Sequence, residues 1–200
     1  MELWIATGNK GKLNEYKLAL KELPNLKVFT QNDIPSFTPR PEDGKTFLEN
    51  AQIKARTLKA VKPGVWVLGE DSGIEVEGLN NLPGIHSARY AGPKAQDSEN
   101  IAKMLKMMSI RPMANRNARF YCATVVFTPD GEEFHFEGIM QGKIAPKPAG
   151  QMGFGYDPIF ISEGQTQTLA ELGPGFKNQN SHRAMALRAF LEKLKTVPHP

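Results

Sequence analysis

Two acidic residues in tandem, Glu70-Asp71, followed by Ser72 and Gly73, close the apolar run Val65 to Leu68. Ligands of α/β sheets collect beyond the carboxyl ends of strands, and packing gives little reason for adjacent carboxylates there. Close anions repel unless a cation joins them. A hard divalent ion that prefers oxygen ligands, Mg²⁺, is the natural partner when phosphate is also present. Glu42 and Asp43, in the loop upstream, could add a carboxylate or be merely solvated, and the pair itself could be no more than a polar turn.

A second group suits phosphate. Thr7-Gly8-Asn9-Lys10-Gly11-Lys12 places a hydroxyl, an amide, two glycines and two ammonium groups where a helix should begin. Exposed amides and the positive helix end favour anions there. The pattern G-x-x-x-x-G-K-[ST] does not occur, so this is not a Walker A loop. The plainer alternative is an Asn9 N-cap followed by solvated lysines.

Other residues could meet a nucleotide. In Gly153-Phe154-Gly155-Tyr156-Asp157-Pro158 two aromatics stand among glycines, and Phe154 could stack on a base or tuck onto the sheet. Lys177 and His182-Arg183 are read at the start of the final helix, where donors could meet an anion or a base carbonyl. Asn50 and Lys54, at i and i+4, share a helical strip that could face a site or solvent. Arg89 is undecided between structure and substrate. His86, His135, His199 and Cys122 form neither a metal cluster nor a nucleophilic triad.

The elements that must position these residues are legible. Leu3 to Thr7 reads as a strand, and Leu13, Tyr16, Leu20 and Leu23 follow at helical spacing until Pro24. Lys27 to Thr30 can be a second strand. Thr46 and Glu49 match a reciprocal capping box for a helix burying Phe47, Ala51, Ala55 and Leu58. Asp97 or Ser98 can cap a helix carrying Ile101, Leu105 and Met108. Arg119 to Thr128 and Glu133 to Met140 read as a hairpin around Pro129-Asp130-Gly131, and Ile159 to Ile161 as a short strand. Ser181 should cap a last helix with Ala184, Leu187, Leu191 and Leu194 inward. Early alternation of strands and helices followed by a hairpin predicts an α/β protein with a mixed sheet flanked by helices.

Composition sets the outer bounds. Of 200 residues 40% are apolar and 23% charged, which excludes disorder and collagen-like repeats. A net charge of +4 suits an anionic ligand but is too small to demand nucleic acid. The single cysteine fits a reducing compartment, and no apolar run approaches a membrane span. With no signal-peptide pattern at Met1 to Ile5, a cytoplasmic protein of one domain, residues 1–200 with a frayed tail at 196–200, is expected.

Taken in order, TGNKGK at 7–12, TFLENAQIKA at 46–55, EDSG at 70–73, PGIHSARYAG at 83–92, GFGYDPIF at 153–160 and SHR at 181–183 resemble the inosine triphosphate pyrophosphatase family over nearly the whole chain. The resemblance implies a long mixed β-sheet flanked by helices, two lobes around a central cleft, and a homodimer. It implies Mg²⁺-dependent hydrolysis of non-standard purine nucleoside triphosphates, ITP, dITP and XTP, to the monophosphate and pyrophosphate. By this resemblance Thr7, Gly8, Asn9, Lys10, Gly11 and Lys12 hold the triphosphate; on charge grounds Lys10, Lys12 and Lys54 could offset the leaving group. Asp71 is the proton acceptor and a metal ligand, Glu42 and Glu70 complete the metal site, and Ser72 touches substrate. Phe154, Gly155, Tyr156, Asp157, Lys177, His182 and Arg183 bind the nucleotide, mainly at its base. Many bacterial members carry Asp at the position of Glu70, whose longer side chain makes direct metal contact less secure. Two other readings stay open: a related pyrophosphatase acting on modified pyrimidine or 7-methylated nucleotides, and a nucleotide- or RNA-binding module without turnover. Stable nucleic-acid or membrane binding is not expected.

Overall fold

The computed structural model describes residues 1–21, 23, 25–111 and 115–196. Pro24, expected to stop the first helix, lies outside them, as does the expected frayed tail except Thr196.

Seven strands form one mixed sheet: β1 (Glu2–Ala6), β2 (Lys27–Thr30), β3 (Trp66–Val76), β4 (Leu82–Pro83), β5 (Asn117–Phe127), β6 (Glu133–Ile144) and β7 (Phe160–Ser162). Their hydrogen-bonded order is β2-β1-β3-β5-β6-β7, with β4 on β3. β1 pairs in parallel with both β2 and β3, whereas β4 is antiparallel to β3 and β7 to β6. The helices are α1 (Lys10–Leu20), α2 (Phe47–Val61), α3 (Asp97–Ser109), α4 (Leu169–Asn180) and α5 (His182–Leu194). The expected α/β class with a mixed sheet flanked by helices is what the chain adopts.

Residues divide into two compact units, one of 1–71, 122–138 and 183–200, the other of 72–121 and 139–182. In the first, Leu3 and Ile5 of β1, Leu13, Tyr16 and Leu20 of α1, Leu68 of β3 and Leu187, Phe190 and Leu194 of α5 share one apolar core. In the second, Ile74 and Val76, Met104 and Met108, Phe120, Ile144, Tyr156 and Phe160 share another. The methionines of α3 are core filler, as their helical spacing implies.

Three sequence expectations change in detail. Thr46 does cap α2, its hydroxyl accepting from the Glu49 amide at 3.1 Å, but the Glu49 carboxylate takes the Lys45 amide at 2.5 Å rather than closing the box on Thr46. α3 is capped by Gln96, one residue before Asp97. Glu70 and Asp71 do not end a strand, because β3 runs on to Val76. What ends there is the neighbour: in the parallel register Ala6, the last residue of β1, pairs with Gly69.

Candidate active site

Where β1 stops, its carboxyl end is free to meet whatever β3 presents next. The turn after β1 leads into α1, whose N-cap is Asn9, with Asn9 Oδ1 accepting from the Lys12 amide at 3.0 Å. The capping alternative for Asn9 therefore holds, and it does not compete with the other: the cap orients the turn that carries Lys10 and Lys12. Thr7 is buried, its hydroxyl accepting from the Asn9 amide at 3.2 Å. Lys10 is exposed, whereas Lys12 turns back to the strand ends, placing Nζ 3.0 Å from Glu70 Oε1. Glycine turn and Glu70 thus meet in space.

Glu70 is fully buried, with 0% of its surface exposed. Its Oε2 accepts from Arg183 Nε at 2.8 Å, and its Oε1 from Lys12 Nζ at 3.0 Å and from Arg183 Nη2 at 3.3 Å. The Tyr16 hydroxyl donates to Oε2 at 3.5 Å, and Glu15 holds the other arm of Arg183. Burial alone would lower the Arg183 pKa, but Glu70 and Glu15 outweigh it and drive the value up. Burial, reinforced by Glu70, raises Tyr16, so the phenol stays neutral and donating. Glu70 thus serves as the counter-charge at the centre of a cationic cluster.

Asp71 faces a different set. Asn50, also 0% exposed, donates from Nδ2 to Asp71 Oδ2 at 3.1 Å and accepts on Oδ1 from the Gly44 amide at 3.0 Å, tying the 42–45 loop to the strand. One turn along α2, Lys54 Nζ lies 2.9 Å from Asp71 Oδ1, 2.8 Å from Glu42 Oε2 and 3.2 Å from the Glu70 carbonyl. Burial pushes the Lys54 pKa down, but Asp71 and Glu42 more than reverse this, so the ammonium stays charged. Asn50 and Lys54 reach Asp71 because β3 carries Gly69 at the crossing. A Cβ there would lie 2.5 Å from both the Ala51 oxygen and the Ala55 nitrogen of α2. Only glycine lets the helix backbone come this close.

The second unit gathers part of the base-side set. Gly153 has φ +83°, and any Cβ there would run into the Asp157 carboxylate. Asp157, 2% exposed, accepts on Oδ2 from the Phe154 amide at 2.9 Å and from Lys177 Nζ at 2.6 Å. The same ammonium stands 4.6 Å from the centroid of the Phe154 ring, a cation–π contact. Asp97 accepts from the Gly155 amide at 2.7 Å, and the Tyr156 hydroxyl donates to the Ser87 carbonyl at 2.8 Å. His182 is buried and stacks on Phe120, centroids 4.8 Å apart and planes 9° from parallel. Lys177 belongs to the last turn of α4 and not to the start of the final helix, because α4 occupies 169–180 with a break at Gly173, φ +80°. Ser72 follows Asp71 on β3, half-buried. Arg89 is exposed.

A model of the Ham1 family matches residues 3–193. The chain belongs to the Ham1 family. Among Ham1 relatives, a dITP/XTP pyrophosphatase of Bdellovibrio bacteriovorus is 74% identical over 197 residues, 98% of this chain and 99% of its own. The solved HAM1 protein from Coxiella burnetii matches with a TM-score of 0.87 at 38% identity, covering 98% of this chain and 100% of that one. The nucleoside-triphosphatase / dITP/XTP pyrophosphatase from Mycobacterium abscessus matches with a TM-score of 0.73 at 41% identity, covering 97% and 100%. The family resemblance read from six motifs is therefore correct.

For this Ham1 chain, reasoning from sequence left Glu15 and Tyr16 out of the candidate site and left Asn50 undecided between site and solvent. Asn50 carried a signal: Phe47, Asn50, Ala51, Lys54, Ala55 and Leu58 repeat at helical spacing, so Asn50 falls inside the buried stripe, where an unpaired amide would be costly. Glu15 carried no such signal.

Proposed function

We propose that this chain hydrolyses non-standard purine nucleoside triphosphates, ITP, dITP and XTP, to the nucleoside monophosphate and pyrophosphate. The observation that carries the reading is the meeting of the Lys12 turn with the Glu70 carboxylate, within hydrogen-bond reach, where β1 ends and Asp71 follows on β3. An RNA-binding module would have no use for the buried acidic centre.

The reaction needs a divalent ion, for which we take Mg²⁺. Among the described residues no three His, Cys, Asp or Glu side chains gather as a ligand set. Two carboxylates do converge, since Glu42 and Asp71 both reach the single cationic point now filled by the Lys54 ammonium. An all-oxygen pair with Glu42 37% exposed fits an ion that completes its shell from phosphate and water. Glu42 and Asp71 would hold it, and Glu70, committed to Arg183 and Lys12, would act by organising charge. When bound, the ion supplies charge neutralisation on the phosphates and polarises them toward attack.

The protein's own groups do the rest. The amides of Gly8, Lys10 and Gly11 and the ammonium groups of Lys10 and Lys12 receive phosphate oxygens at the α1 N-terminus, while the Asn9 and Lys12 amides shape the turn through Thr7 and Asn9. Asp71, fixed by Asn50, orients a water and accepts its proton as the water oxygen bonds to the α-phosphorus. The bond from that phosphorus to the α,β-bridging oxygen breaks, and pyrophosphate leaves. Lys54 offsets charge on the leaving group, and Ser72 touches the substrate. Phe154, Gly155, Tyr156, Asp157, Lys177 and His182 take the base end of the nucleotide, and Arg183, committed to Glu70 and Glu15, acts through that cluster. Donors directed at the purine 6-oxygen are left unpaired by a 6-amino group, and such sites discriminate by up to about 10⁴ to 10⁵. ATP is accordingly a poor substrate. The reading also includes one working domain over 1–200, a homodimer and a cytoplasmic setting, the last supported by the lone buried thiol of Cys122. No helix among the described residues is long and apolar enough to cross a membrane.

Incubation of the protein and Mg²⁺ with ITP, XTP, dITP, ATP and GTP, with product identification, tests the reading. IMP and pyrophosphate are expected from ITP, whereas IDP and phosphate would place attack at the wrong phosphorus. Asp71→Asn should fold normally and lose on the order of 10² to 10⁴ in turnover. Near-parental activity would remove Asp71 from its role.

A further inference from the structure

We infer that Lys54 is an internal counter-ion, standing where the divalent ion must sit, so that the free protein binds divalent ions weakly and gains its ion together with a polyphosphate. The inference rests on the reading of Glu42 and Asp71 as cation-binding carboxylates. Its basis is geometric. The Lys54 ammonium touches three oxygens, Glu42 Oε2 at 2.8 Å, Asp71 Oδ1 at 2.9 Å and the Glu70 carbonyl at 3.2 Å. Those are the donors a hard cation would use, and two like charges cannot share them.

The ammonium is also placed to leave. Lys54 is on α2, which Gly69 admits against β3, and its side chain keeps 15% of its surface exposed beside the more open Glu42. Its flexible four-carbon stem can swing the charge without moving the helix. An ion arriving alone must drive the ammonium from two carboxylates into water. An ion arriving on a triphosphate brings anionic oxygens that take up the displaced charge. Free-ion binding is therefore penalised and joint binding is not, and by linkage each partner strengthens the other.

Mn²⁺ is the probe, its free concentration read by electron paramagnetic resonance without nucleotide, for the parent, Lys54→Gln, Lys54→Arg and the double variant Lys54→Gln/Glu42→Gln. Thermal melting checks that each is folded. Lys54→Gln should bind Mn²⁺ on the order of tenfold more tightly than the parent. Lys54→Arg, which keeps the charge, should stay near the parent, and the double variant should lose the gain. Inorganic triphosphate should tighten Mn²⁺ binding by a larger factor in the parent than in Lys54→Gln. An unchanged Mn²⁺ affinity in Lys54→Gln, or Lys54→Arg behaving like Lys54→Gln, overturns the inference. Turnover enters none of these readouts. Their failure leaves the reaction assignment standing, and an absence of pyrophosphate release would count against that assignment alone.

Discussion

Replacing Glu70 by Gln removes one negative charge from a side chain with no exposed surface, and the consequence can be worked from its contacts. Arg183, itself 3% exposed, keeps Glu15 as an anionic partner but loses the carboxylate that takes two of its nitrogens. Lys12 loses its partner at 3.0 Å. Removing one member of a buried ion pair costs about 3 to 5 kcal/mol, because the survivor is left charged and desolvated. Glu15 and the remaining amide oxygen of Gln retain part of this, which points to the lower edge, about 3 kcal/mol. For a chain of this length each kcal/mol moves Tm by about 2 to 4 °C, so a drop of about 6 to 12 °C is expected. Urea and thermal unfolding without metal or nucleotide provide the assay. Glu70→Asp, which keeps the charge on a shorter arm, should lose less. A Glu70→Gln protein melting within about 2 °C of the parent would refute the charge-centre argument, since only exposed pairs are worth about 1 kcal/mol or less. If Mg²⁺ dependence weakened instead while stability held, Glu70 would be a metal ligand.

Gly69→Ala should cost about 1 to 3 kcal/mol and lower turnover too, because a Cβ at 2.5 Å from two backbone atoms of α2 forces the helix bearing Asn50 and Lys54 away from Asp71; urea unfolding and ITP hydrolysis read the two effects, and parental values for both would contradict it. Cys122, fully buried, has its pKa pushed up to about 12 by burial and then by Glu70, so roughly one thiol in ten thousand is ionised at pH 8. Iodoacetamide should leave the native protein unmodified at that pH and label it after denaturation; stoichiometric native labelling would contradict the assignment. Burial would raise the Glu133 pKa, but His135, Gln52 and Arg56 hold it down at about 2, against 4.5 when free. The depressed value means its stabilisation is full above about pH 4.5 and fades as pH falls toward 2; this partly exposed cluster contributes about 1 kcal/mol or less, and Glu133→Gln should remove that much of the acid dependence in urea titrations.

Strands β1, β2, β5, β6 and β7, helices α1, α2, α3 and α5 and the Asn9 and Thr46 caps were legible because each rests on local signals, whereas α4 and β4 were not expected. The Thr46 cap, the apolar stripes of α2 and α5 and the turn at Pro129-Asp130-Gly131 all obey rules that span a few residues. The partition of roles at Glu70-Asp71 was not legible. Adjacent residues on a strand point to opposite faces, so one carboxylate enters the layer holding Tyr16, Lys12 and Arg183, and the other meets Asn50 and Lys54. Alternation predicts that they separate but not which partners wait on either side, because Glu70 and Arg183 are 113 residues apart. The extent of β3 beyond Asp71 was missed for a related reason. Ser72-Gly73 reads as a turn by composition, yet the pairing of Glu75 with Pro83 and of Val76 with Leu82 carries the strand onward. Lys177 was misplaced because no helix was expected before the one capped by Ser181, whereas α4 runs over 169–180 across a break at Gly173 and holds Lys177 in its last turn.

In the second unit, residues matched to a binding motif hold one another, and through one another the Phe154 ring. Asp157 Oδ2 holds both the Phe154 amide and the Lys177 ammonium, and that ammonium faces the Phe154 ring. Gly153 must lack a side chain for this carboxylate to fit, and Asp97 fixes the next amide, at Gly155. One aromatic side chain is thereby held from its backbone, its ring face and its following residue. In the proposed role of Phe154 as a stacking platform, being fixed before the base arrives would add affinity, since the ordering cost is already met in the free protein. Substituting Asp157 or Lys177 would loosen Phe154 even where neither met the base. Loss of nucleotide binding in such variants therefore reports the position of the ring as much as any contact of the charged pair.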